Sequence, residues 1–234
     1  MCWSAEVSLF TFITSATMCS YIWYRNHEND RPLALWIFVF SLMQLFETFM
    51  WLNMNNHSFV SKLSLVFILA QPVVLGIALS MMGTIQGDNG TELSASNVNN
   101  AGNTSSILGN TKWIRPFLWI LIGIGIIKVI YTTYWLITSE KNKKWLSIKG
   151  DNCHLVWYFT RNYMELPYLA RINESYYLPL LLTCLLVAPS YKGIIYAGFG
   201  LLSFNISQLY FGAAYGSIWC WIANALALIT VLIG

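Results

Sequence analysis

The chain predicts an all-α polytopic membrane bundle of about seven helices, with a small β-hairpin-like segment outside the bilayer. Three observations lead there. The composition is 56% hydrophobic and 10% charged, with mean hydropathy +0.54, whereas a soluble domain carries about 25% charged residues. Apolar runs of about 20 residues, the length a helix needs to cross the hydrocarbon core, recur along nearly the whole chain. Eleven Trp and thirteen Tyr suit aromatic belts at the two membrane interfaces. The expected partner is therefore the lipid bilayer. A dispersed net charge of +3 argues against nucleic acid. A single membrane domain accounts for 1–234.

The first stretch has no basic leader and no small-residue cleavage site, so it reads as a retained helix from Ser4 to Tyr24. Pro32 suits the first turn of a second helix, Leu33–Asn53, where its missing N–H is harmless. A third helix over Leu63–Thr84 carries Gln71-Pro72, an expected kink. Gly87–Thr111 is rich in Gly, Asn, Ser and Thr and reads as a flexible, solvated loop. It holds the glycosylation sequons at Asn89 and Asn103. The motif also occurs at Asn205 inside an apolar run, so it arises by chance in this chain. A fourth helix, Trp113–Thr138, precedes the longest polar connection, Ser139–Ser175. There two β-prone runs flank Lys149-Gly-Asp-Asn152, a hairpin pattern. Tyr176–Tyr191 is short for a span, and a tight turn at Lys192-Gly193 then leads to Ile194–Phe211 and Ser217–Gly234.

With a cytoplasmic N-terminus and seven spans, Lys62, Lys141, Lys143, Lys144, Lys149, Arg161 and Arg171 fall inside. Arg25, Arg31, Lys112, Arg115 and Lys192 fall outside. This slight positive-inside bias puts Gly87–Thr111 on the non-cytoplasmic side and Ser139–Ser175 in the cytoplasm.

Glu47 is the residue around which the chain is organised. It lies within an apolar run, with Gln44 and Trp51 on the same helical face. A charged group in hydrocarbon costs at least about 2.5–3.5 kcal/mol, so this stripe should face protein. Lys128 is the other charge expected near the midplane and is a candidate partner for Glu47. A structural pair or a snorkelling lysine is the plainer reading of the same residues. Gln71, Asn205, Gln208 and Asn224 complete the intramembrane polar set. Interhelical hydrogen bonding is the plainer reading for these.

Of five cysteines, Cys19, Cys184 and Cys220 lie in apolar runs, and only Cys2 and Cys153 look available for chemistry. His27, His57 and His154 fall in loops without paired metal-ligand spacing, so no metal and no cofactor are expected. GxSxG and phosphate-binding glycine motifs are absent from the sequence.

The opening Met1-Cys2-Trp3-Ser4-Ala5, the Gln44–Glu47–Trp51 cluster, the run Cys153-His154-Leu-Val-Trp157-Tyr158, and Ser217-Ile-Trp219-Cys220 carry a resemblance. Together they resemble an uncharacterised family of bacterial and viral multi-pass membrane proteins that begin Met-Cys-Trp-Ser. The resemblance would cover nearly the whole chain, which departs from it in the long Asn/Ser loop. It implies architecture and candidate residues but no activity. It also suggests that the terminal helices are neighbours. Three functions fit the residues. The first is a small transporter, channel or sensor using Glu47 on a proton, ion or small solute. The second is an intramembrane enzyme with Cys2 or His154 as reactive group. The third is a structural or assembly protein.

Overall fold

The computed structural model describes residues 4–27, 30–88, 114–150, 153–171 and 190–233. Its elements in chain order are α1 (Ala5–Arg25), α2 (Asp30–Leu52), α3 (Ser58–Asp88), α4 (Ile114–Thr138), β1 (Ile148–Lys149) and β2 (Leu155–Val156). There follow α5 (Tyr158–Arg161), α6 (Ser190–Phe211), α7 (Tyr215–Ala223) and α8 (Ala225–Ile233). Single 3-10 turns lie at Tyr163–Glu165, Tyr168–Ala170 and Gly212–Ala214. Helices α2, α3, α4, α6 and the joined α7–α8 are long and apolar enough to cross a membrane. The architecture is compatible with an integral membrane protein.

Helix α1 is long enough to span but is not among the most apolar. Three of its hydroxyls turn back on its own backbone: Thr11, Thr17 and Ser20 donate to carbonyls four residues earlier. Ser4 caps it, its Oγ accepting from the Val7 N–H, and Asn26 ends it in the left-handed region that favours Gly or Asn. Its inward face is the stripe Ser8, Ser15, Cys19, Ile22, spaced 7, 4 and 3 apart as a helix face requires. The small residues in that stripe let it lie close along α2.

Several boundaries differ from expectation. Helix α3 starts five residues earlier, at Ser58, and runs unbroken through Pro72 to Asp88. Helix α6 runs through Lys192-Gly193, which is helical rather than a turn. The last apolar run is broken at Asn224, whose side-chain N–H donates to the Cys220 carbonyl at 2.6 Å. A side chain that competes for the helix's own carbonyls interrupts the ladder. Gly87–Thr111 lies outside the described residues except for Gly87 and Asp88, which end α3. The fifth expected run, Tyr176–Tyr191, also lies outside them except for Ser190 and Tyr191.

Chain order sets the packing: α1 on α2, α2 on α3, and α3 on α4. The last two helices then return to α1 and α2, so the terminal helices are neighbours. Trp221 Nε1 donates to Thr11 Oγ1 at 3.1 Å across that seam. Trp219 sits edge-on to both Phe40 (5.3 Å) and Phe204 (5.2 Å), joining α2, α6 and α7. Outward faces are apolar: in α4, Trp119, Ile120, Ile127, Ile130 and Ile137 are all exposed, as lipid contact requires.

One end of the bundle is closed by a cap, residues 139–171. The predicted hairpin is there, with Ile148 opposite Val156 and Lys149 opposite Leu155. Trp145, Leu155, Trp157, Phe159 and Leu166 form its buried apolar interior, and Trp145 stacks on Tyr158 at 4.6 Å. Polar stitches hold the cap to the α2–α3 corner. The Trp145 N–H donates to Ser58 Oγ at 2.9 Å. The Ser147 N–H donates to His57 Nε2 at 2.8 Å, while His57 Nδ1 donates to the Asn53 carbonyl. Both ring nitrogens of His57 are thus used, and only the Nδ1–H tautomer satisfies both. Lys62 Nζ donates to the Glu140 carbonyl.

The opposite end is tied by Arg25. Its guanidinium grips Asp30 through two bonds, Nε–Oδ2 at 2.8 Å and Nη2–Oδ1 at 2.9 Å. It also donates to the carbonyls of Thr230 and Val231 at 3.2 Å. The last turn of α8 has carbonyls without intrahelical partners, so one arginine caps the final helix and fixes the α1–α2 turn.

Candidate functional site

Glu47 is fully buried, on the inward face of α2. It lies five residues before Leu52, the end of α2, hence about 7.5 Å along the axis from the cap end. It therefore sits beneath the cap rather than at mid-helix. Three side chains face its carboxylate: Ser217 of α7, Trp157 of the cap and Ser8 of α1. None closes to hydrogen-bond geometry. Both Glu47 oxygens, the two serine hydroxyls and Trp157 Nε1 are buried without a hydrogen-bond partner among the described residues. Along α2, both polar atoms of Gln44 and Nε1 of Trp51 are likewise buried and unpartnered. Cys220, a free thiol one turn beyond Ser217, is buried within electrostatic reach of Glu47.

Each donor is placed by local sequence logic. Ser8 belongs to the small-residue stripe of α1, which brings that helix close to α2. Ser217 and Cys220 are three apart and share a face of α7. Trp157 follows β2 directly, so the hairpin register aims it into the bundle. Its ring lies over Gly216, where an added Cβ would sit 2.6 Å from Cζ3 and 2.9 Å from Cε3. Only a residue without a side chain admits the indole at that place.

This arrangement has a definite chemistry. Two hydroxyls and an indole N–H are all able to donate, and they surround a carboxylate in a water-poor setting. Buried polar groups are normally paired, and a lone buried charge is costly. Donors pointed at a carboxylate favour its charged form, and burial favours its protonated form. Helices α1, α2 and α7 and the cap each contribute one group to the site.

The expected pair of Glu47 with Lys128 is not formed. Lys128 lies on α4, which packs on α3 rather than α2. Its Nζ donates to the Arg171 carbonyl at 3.0 Å, at the edge of the cap. A four-carbon stem lets a buried lysine reach such an acceptor while its helix position stays near the middle. Gln71 is buried on α3. Asn205 lies on the exposed face of α6 and bonds its own helix, at the Leu201 carbonyl. Gln208 is half-buried. Asn224 marks the α7–α8 break. Trp219 serves the aromatic contacts described above. Cys2, Trp3, Asn89 and Asn103 lie outside the described residues.

His154 is buried in the cap, edge-on to Phe211 at 5.4 Å, and burial holds its imidazole below the ordinary value. Cys153, in the left-handed region at φ 61°, is disulfide-bonded. It therefore offers no free thiol beside His154. Lys143, on the cap surface, is held above its ordinary value by Tyr158 and then by Glu165, 3.1 Å away. Among the described residues, no group of three or more His, Cys, Asp or Glu has metal-binding geometry.

The sequence singles out Glu47, Gln44, Trp51 and Cys220; Trp157 and Ser217 enter only within the motifs that carry the resemblance, and Ser8 not at all. Serine in an apolar run and tryptophan near an interface are ordinary. Their convergence spans positions 8 to 217 and belongs to the packing alone. Comparison with family models, curated proteins and solved structures finds no match to the chain.

Proposed function

We propose that the protein is a small membrane transporter, channel or sensor in which Glu47 binds and releases a proton beneath the cap. The observation that carries this reading is the Glu47 carboxylate, fully buried, with both oxygens without a hydrogen-bond partner among the described residues and donors from three other segments facing it. Protonation changes what Ser8, Ser217 and Trp157 can bond to, and so couples α1, α7 and the cap to one titrating group. The enzyme reading loses support at Cys153, whose sulfur is already bonded. Kinship with the Met-Cys-Trp-Ser family remains a proposal resting on the motifs quoted above.

The test combines two measurements on purified protein. Infrared difference spectra across a pH step should show a protonated-carboxyl band that vanishes in Glu47→Gln. Flux into liposomes, read with a pH-sensitive dye, should fall in the same variant if the protein conducts. A carboxyl band unchanged in Glu47→Gln overturns the proton site, and unchanged flux removes the transport version.

The disulfide at Cys153 also bears on orientation, because disulfides persist in oxidising compartments. It supports a cap outside the cytosol, against the slight excess of basic residues on that face. A cysteine introduced at Lys143 should then react with an impermeant label in intact cells. Protection there would restore the charge-based orientation.

A further inference from the structure

A second site lies at the end of the bundle opposite the cap, on the outer surface between α1 and α2. A groove of about 290 Å³ runs there, lined by Cys19, Ser20, Trp23, Ala34, Leu35 and Phe38, with Tyr24 at its edge. Its floor is made by small residues, Cys19 and Ala34, both buried where the two helices approach. Its walls are large and exposed: Trp23 and Tyr24 from α1, Leu35 and Phe38 from α2. Phe12 packs on Phe38 at 6.4 Å. Toward the other end lies Trp23, under the guanidinium of Arg31.

Arg31 is exposed and makes no ion pair among the described residues. Its guanidinium lies over the Trp23 ring, 5.7 Å from the centroid. Arg31, Leu35 and Phe38 are four and three residues apart, so one face of α2 carries a cation followed by an apolar track. From Arg31 to Phe38 the track is about 10 Å long, roughly two-thirds of one leaflet's share of a ~30 Å hydrocarbon core. A guanidinium carries a planar fork of donors that matches a phosphate, and Arg31 is exposed.

We propose that this groove is a binding site for an anionic phospholipid, with the phosphate on Arg31 and the upper part of one acyl chain lying between Trp23, Leu35 and Phe38. The charge chooses the occupant. A purely apolar groove would take any bilayer chain, but this one ends beside an exposed cation that makes no ion pair among the described residues. The site is independent of Glu47 and lies at the far end of the bundle from it.

The test is lipid retention through detergent exchange, read by native mass spectrometry. The probes are phosphatidylglycerol, phosphatidylcholine and a diacylglycerol of the same chains. Wild-type protein should keep one phosphatidylglycerol, phosphatidylcholine less well and diacylglycerol least. Arg31→Gln should lower phosphatidylglycerol retention about fivefold, the effect of one basic side chain near a headgroup, with little change for diacylglycerol. Ser20→Phe, a change at an exposed position that fills the groove, should lower retention of all three. Both substitutions are on the surface, and an unchanged melting temperature shows that they fold. Equal retention of phosphatidylglycerol by wild type and Arg31→Gln overturns the proposal, as does wild-type retention no better for phosphatidylglycerol than for diacylglycerol.

Discussion

Gly216→Ala tests whether the cap is seated as described. The new Cβ would lie 2.6 Å from Trp157 Cζ3 and 2.9 Å from Cε3. Carbon atoms pack best at about 3.5–4.0 Å, so the ring must retreat by about 1 Å. Trp157 is fully buried and enclosed by the cap's own aromatic core, so it cannot simply rotate aside. Overpacking of this kind costs about 1–3 kcal/mol, and replacing a helical Gly by Ala returns up to about 1 kcal/mol. The net expectation is a loss of roughly 0.5–2 kcal/mol. Gly123→Ala is the control, because its Cβ would meet nothing within 4 Å and only the helix gain applies. Thermal unfolding in detergent should place Gly216→Ala below wild type and Gly123→Ala at or above it. Trp157→Phe, whose shorter ring relieves the collision, should make the double variant cost less than the two single changes summed. Equal melting of the two alanine variants, or strict additivity with Trp157→Phe, would refute the seating.

Arg25→Ala leaves Asp30 buried without its partner and uncaps two carbonyls of α8, so it should cost about 3–5 kcal/mol in thermal unfolding. Arg25→Lys should recover only part of that, since an ammonium lacks the two-pronged grip. Glu47→Gln and Lys128→Met should have effects that add to within about 0.3–0.5 kcal/mol, because the two residues do not touch. A larger coupling in a double-variant cycle would restore the pair. Burial lowers the proton affinity of His154, so the unfolded chain binds that proton more readily than the folded one. Stability is then full above about pH 6.5 and declines as pH falls below it. His154→Gln should flatten the pH dependence of melting over that window, and an unaltered slope would count against the burial.

Apolar runs made the helices legible, because a bilayer demands about 20 such residues whatever the tertiary fold. Lys149-Gly-Asp-Asn152 marked the hairpin because a polar, glycine-containing turn between β-prone runs has few other uses. Glu47 stood out by breaking an apolar pattern. Its surroundings did not, because Ser8 and Ser217 are silent in apolar helices until packing turns them toward each other. The Lys128 expectation failed for a related reason. Opposite charges at similar depth say nothing about whether their helices are neighbours, and α3 lies between α2 and α4. Arg25 and Asp30 looked like ordinary turn charges, since nothing local shows that carbonyls some 200 positions later complete the contact.

That contact makes closure of the bundle a late event. Arg25 and Thr230 stand 205 residues apart, and membrane insertion follows chain order. While α1 and α2 are already in place, Arg25 holds Asp30 but has donors left over. They find acceptors only when α8 arrives. A non-local contact of this span forms slowly, so the insertion intermediate is a partial ring with an open seam between α1 and the position α8 will fill. Two fragments produced separately and divided after α3 would each carry one half of this clasp. Their reassembly should therefore depend on Arg25, even though the residue lies far from the point of division.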